Sequence, residues 1–79
     1  MARNKEDFKF EIKEEISVLS ERNQKGWRKE CNLVSWNGKE PVYDIRQWNE
    51  DHTEMSKGIT LTYDELAILA VDLSDRGFC

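Results

Sequence analysis

Hydrophobic and polar residues alternate strictly through FKFEIK (8–13), with Phe8, Phe10 and Ile12 on one side and Lys9, Glu11 and Lys13 on the other. A period of two predicts a half-buried strand. The phase slips at Glu14–Glu15, which predicts a bulge, and the strand resumes through ISVLS (16–20). ERNQKG (21–26) reads as a polar turn, and WRKECNLVSW (27–36) as a second strand. Asn37-Gly38 follows, two residues that tolerate positive φ and signal a hairpin. The returning strand is PVYDIRQW (41–48), where Tyr43 and Ile45 form the expected core face and Asp44, Arg46 and Trp48 share the opposite one. A long loop, NEDHTEMSKG (49–58), leads to a short last strand, ITL (59–61).

The period then changes. In LTYDELAILAVDLSD (61–75), Leu66, Leu69, Ala70 and Leu73 form an apolar stripe at helical spacing. Thr62 followed by Glu65 has the spacing of a capping box, Asp64 adds negative charge where the helix dipole favours it, and Gly77 is placed to close the helix. The expected class is α+β, four antiparallel strands followed by one helix (ββββα). One helix covers one face of such a sheet. If it covers Tyr43 and Ile45, then Arg46 and Trp48 stand on the uncovered face and Trp48 is not a core residue. Strand phase does not carry across the hairpin without the pairing, so the face of Trp36 stays open.

Size and charge sharpen this. A chain of 79 residues forms one domain, expected to bury only ~60% of its unfolded surface, so a dimer is a reasonable way to complete the core. The expected organisation is a disordered tail over 1–7, one domain over 8–76 and a tail over 77–79. No apolar run approaches the ~20 residues that span a bilayer, and the first ten residues lack the apolar core of a secretory signal. Two cysteines without paired spacing (Cys31, Cys79) and one histidine (His52) cannot supply the four ligands of a structural zinc site. No metal, cofactor or disulfide is expected; Cys31 reads as a small buried hydrophobe, Cys79 as part of a free tail, and the chain as cytoplasmic. The net charge of −4 is unevenly spread: residues 1–24 carry −1, 25–48 carry +2 and 49–79 carry −5. The basic share coincides with all three tryptophans (Trp27, Trp36, Trp48), and local potential rather than total charge governs contact with a polyanion.

Together, SWNGK (35–39), VYDIRQW (42–48) and MSKGITLTYDEL (55–66) resemble the positive-cofactor-four type of single-stranded-DNA-binding transcriptional coactivators, above all their compact bacterial YdbC-like branch. The resemblance runs from about Phe8 to Leu73. It implies a symmetric homodimer whose curved sheets form a channel for single-stranded DNA, in transcription regulation or DNA maintenance, with contacts to transcription machinery. By position, Trp36 matches the stacking aromatic before the Gly-Lys turn, Lys39 the turn lysine, Arg46 the arginine of the D-I-R strand and Trp48 the aromatic near its end. Eukaryotic members carry basic residues where this chain has Val34 and Asn37, which implies fewer phosphate contacts. Their long serine-rich and acidic N-terminal region is absent, so regulation through it is not expected.

Stacking on an aromatic side chain contributes ~1–3 kcal/mol per base without regard to sequence, and cations beside it neutralise phosphates. The candidate nucleic-acid contacts are Lys25, Trp27, Arg28, Lys29, Trp36, Asn37, Lys39, Arg46, Trp48 and Lys57. Alternation sends Arg28 and Lys29 to opposite faces, so about half of the Lys25–Lys29 group should meet ligand. Nothing in the chain reads a 2′-hydroxyl, so RNA is admitted beside DNA. Competing bland readings are core packing for the tryptophans and solvated sheet charges for the cations. His52, inside the acidic EDHTE loop, reads as solvated, and Asp44 as a partner that orients Arg46. No phosphate loop, catalytic carboxylate pair or nucleophile–base pair is present, which argues against an enzyme. The alternative function is a protein–protein interaction module using the exposed sheet face; a purely structural dimer subunit ranks below it.

Overall fold

A computed structural model describes residues 9–78. The expected tail over 1–7, Phe8 and Cys79 lie outside the described residues. Among the described residues, β1 (Phe10–Val18), β2 (Arg28–Trp36), β3 (Val42–Trp48) and β4 (Ile59–Leu61) precede a single helix, α1 (Tyr63–Asp75). The sheet is an antiparallel meander in the order β1-β2-β3-β4.

The bulge expected at Glu14–Glu15 is there as two register shifts that bracket those residues, between Ile12 and Glu14 and between Glu15 and Ser17. Each extra residue bends the strand and increases its local twist. Asn37 and Gly38 both take positive φ (53° and 78°), and Lys39 N–H donates to the Trp36 carbonyl at 3.0 Å. The turn therefore lies where the Asn-Gly pair predicts it, although the last paired residues are Val34 and Val42, so the connection is longer than a two-residue hairpin.

The helix start is also as the sequence writes it. The Thr62 side chain accepts from Glu65 N–H (3.1 Å), and the Glu65 carboxylate accepts from Thr62 N–H (2.9 Å). At the other end Gly77 has φ 89°, and the N–H groups of Gly77 and Phe78 donate to Ser74 and Leu73. This pair of bonds is a Schellman stop, which glycine accommodates without a Cβ penalty.

Two packing expectations need correction. The alternation in β3 is as read: Tyr43 and Ile45 pair with Leu33 and Cys31, while Asp44, Arg46 and Trp48 pair with Asn32, Glu30 and Arg28. The sealed face is nevertheless the second one. Asp44, Trp48 and Val34 have no exposed surface, whereas Tyr43 and Ile45 are only half-buried. Trp48 is a core residue because Phe10 from β1 and His52 from the following loop lie over it, with ring centroids 5.1 and 5.2 Å away. The helix, in turn, does not cover the other face within one chain. It touches only β3 and β4 among the described elements, near its start, where Tyr63 meets Tyr43. None of its residues is buried; Leu66 is half-buried, while Ile68, Leu69, Val71 and Leu73 stay exposed.

Candidate nucleic-acid interface

The face that carries Trp36 also carries two charged clusters, both built from residues two apart on one strand. On β3, Arg46 Nε donates to both carboxylate oxygens of Asp44 (2.8 and 2.9 Å), and Nη2 lies 2.7 Å from Oδ2. Nη1 reaches back to the loop before β4, toward Met55 Sδ and the Ser56 carbonyl, each at 3.4 Å. The guanidinium carbon sits 4.6 Å from the Trp36 ring centre, over the indole. This is a cation–π contact, favoured by the negative face of the indole. Phe10 flanks the same indole at 5.8 Å. Trp36 thus ends β2 partly covered rather than freely exposed.

On β2, Arg28 Nε donates to Glu30 Oε2 (2.8 Å), Asn32 Nδ2 donates to Glu30 Oε1 (3.1 Å), and His52 Nε2 lies 2.9 Å from that oxygen. Burial raises the Glu30 carboxyl, but the bonds from Arg28, His52 and Asn32 outweigh it and lower the carboxyl to about 2. Asp44 goes the other way: burial pushes its carboxyl up, more than Arg46 pulls it down. Burial likewise pushes the Cys31 thiol up, helped by the charge of Asp44; Cys31 is buried, as expected.

The solvated reading of His52 is corrected by this geometry. Loop 49–56 folds on itself through the Asn49–Glu54 backbone bond, the Asn49 and Asp51 side chains and the Trp48–Met55 bridge. His52 takes φ 59° at its tip and is thereby turned onto Trp48 and Glu30. No motif announces this; a left-handed histidine is not legible from composition. The indole Nε1 of Trp48 has no hydrogen-bond partner among the described residues, so that ring acts by volume and not by polarity.

The ten sequence-predicted residues do not all gather. Trp36, Arg28, Arg46 and Trp48 share one face, with Trp48 enclosed and both arginines engaged by carboxylates. Asn37 and Lys39 project at the turn beside Trp36, where Asn37 Oδ1 accepts from Lys9 N–H (2.9 Å) and ties the turn to the start of β1. Lys29 lies on the opposite face, as alternation required, and lines a recess with Lys57, Ile45, Arg46, Gln47 and Ile59. Lys25 sits in a separate recess against Glu50 and Asp51, an acidic setting. Trp27 is half-buried next to the 21–26 turn, its backbone N–H donating to Asn23 Oδ1 at 3.0 Å.

Sequence reasoning missed Phe10, Glu30 and His52 as parts of this face, and it missed the reason for Gly58. A Cβ on Gly58 would run into the Ile45 carbonyl oxygen and the Arg46 Cβ, so only glycine lets the chain before β4 pass this close to β3. The K-G-I run carried that signal.

Comparison with known proteins places the chain in a family. Residues 23–70 match the family described as Transcriptional Coactivator p15 (PC4). The chain is also 41% identical, over 64 residues covering 81% of it and 74% of the relative, to an uncharacterized protein of Treponema pallidum (strain Nichols). A match across more than half of the chain, on a ββββα fold with these strands in sequence, is decisive: this chain belongs to the transcriptional coactivator p15 (PC4) family, whose members bind nucleic acid and are not enzymes.

Proposed function

We propose that the protein acts as a homodimer that binds single-stranded DNA, and RNA of similar form, with little regard to sequence. The observation that carries this reading is Trp36 at the mouth of the Asn37-Gly38 turn. It is a large ring only partly covered, braced by Arg46, with Lys39 exposed three residues on. Unpaired bases offer π-faces to such a ring and duplexes do not, so stacking selects by strandedness. Lys39 is the phosphate contact best placed beside it; Lys25, Lys29 and Lys57 extend the cationic surface only if the strand leaves this face. The turn W-N-G-K (36–39) followed by D-I-R-Q-W (44–48) fits this use, and the cytoplasm, including its nucleoid, is the compartment in which it makes sense.

The second copy is called for by the exposed apolar surface. Ile68 and Val71 on α1, Ile16 and Val18 on β1 and Ile59 on β4 are each 43–64% exposed in one chain. These side chains lie on α1 and on the two edge strands of the sheet, and a second copy would take them out of water. Sedimentation should give a dimer at micromolar concentration; a stable monomer contradicts this part. The same surface supports the competing reading, a protein-interaction module. Titration with a single-stranded oligonucleotide and its duplex separates the two. Preference for the single strand, with affinity falling as salt rises, supports nucleic-acid binding; equal affinity for both forms, or none, contradicts it.

A further inference from the structure

We propose that Arg46 is a positioning residue for the stacking surface and not a phosphate contact: anchored by Asp44 and the loop before β4, its guanidinium holds the Trp36 indole in the pose that receives a base. This rests on the reading of Trp36 as the stacking ring.

The geometry leaves the guanidinium little else to do. An arginine has five N–H donors. Nε and Nη2 are engaged by Asp44, and Nη1 faces Met55 Sδ and the Ser56 carbonyl. The side chain is only 15% exposed, and Asp44 is wholly enclosed. A phosphate would have to approach past a carboxylate already within 2.7 Å of the same cation. Buried ion pairs are poor sources of stability, since desolvation offsets most of their attraction. What this one supplies is direction. The planar fork fixes the guanidinium relative to β3, and the plane so fixed lies over the indole. Gly58 leaves the space that the arrangement needs, because a Cβ there would meet Arg46 Cβ and lie 3.0 Å from Nε. β3, the 55–56 loop and the Gly58 passage thus converge on one side chain, and that side chain touches the ring.

The test compares Arg46→Gln and Arg46→Lys with wild type in titrations of a single-stranded oligonucleotide across a salt series. A phosphate contact predicts that Gln lowers the log–log salt slope by about 0.7 and that Lys, which keeps the charge, restores both slope and affinity. A positioning role predicts that both variants lose about five- to twenty-fold in affinity at unchanged slope, and that Lys does not rescue, because it lacks the planar fork. The free protein supplies a second readout, the fluorine resonances of 5-fluorotryptophan-labelled chain, with Trp36 assigned through Trp36→Phe. The Trp36 resonance should move in both variants while those of Trp27 and Trp48 hold. Rescue by Lys, a reduced slope with Gln, an unmoved Trp36 resonance, or collapse of all three resonances through unfolding would each overturn the proposal. Failure of the wild type to distinguish the oligonucleotide from an abasic strand of equal charge would instead overturn the stacking reading, and the free-protein resonances would still decide whether Arg46 sets the ring.

Discussion

Trp48→Ala separates core from platform most sharply. Trp48 has no exposed surface, and its ring lies between Phe10 and His52. A tryptophan removes ~150–250 Å² from water, which at ~25 cal/mol per Å² corresponds to about 4–6 kcal/mol as an upper bound, because the unfolded chain already hides part of that area. Truncations of buried aromatics to alanine cost ~3–5 kcal/mol. No hydrogen bond is lost with the ring, since Nε1 has no partner among the described residues, so the lower half of that range is expected, about 3–4 kcal/mol. Domains hold ~0.05–0.15 kcal/mol per residue, so the substitution removes a large share of the whole. Urea unfolding followed by far-ultraviolet circular dichroism, at one fixed protein concentration because a dimer's stability depends on it, should show the midpoint falling by about 3–4 M for a slope near 1 kcal/mol/M. A loss below about 1 kcal/mol would refute the enclosed placement and return Trp48 to the surface.

Two further perturbations test the scaffold. Gly58→Ala places a methyl group against the Ile45 carbonyl and Arg46 Cβ, which should cost about 1–3 kcal/mol through overpacking and lower the melting temperature; an unchanged melt contradicts the close passage before β4. Glu30 is held at about 2 against an ordinary 4.5. As pH falls the unfolded chain therefore takes up the proton first, so the stabilisation is complete above about 4.5 and drains away toward 2. It amounts to about 3 kcal/mol at most. Glu30→Gln should flatten the melting temperature across that window, and an acid limb identical to wild type would show that the Arg28–Glu30–His52 cluster contributes nothing there.

Local chemistry was legible wherever one or two neighbouring residues decide the backbone. Asn37-Gly38 shaped its turn, Thr62 and Glu65 capped their helix, and the slip at Glu14–Glu15 became bulges. The Asp44–Arg46 pair was legible too, because residues two apart on a strand share a face. Periodicity says which side chains stand together but not which face is sealed. Tyr43 and Ile45 look like the core by hydropathy, yet Phe10, Trp36, Trp48 and His52 gather their rings on the other side, where Trp48 and Asp44 have no exposed surface. That closure depends on a loop histidine in a left-handed conformation, which no spacing announces. Hydrophobic spacing along α1 was read correctly as a helix, but a stripe does not name what it packs against, and within one chain Leu69 and Leu73 remain exposed.

The central claim is that Trp36 receives bases. The direct test is a fluorescence titration of wild type and Trp36→Ala with a single-stranded oligonucleotide at fixed salt, read beside the urea stability of both. Stacking predicts that the variant loses ~1–3 kcal/mol of binding for each base the ring holds while remaining folded. Wild-type affinity in a folded Trp36→Ala protein would contradict the account.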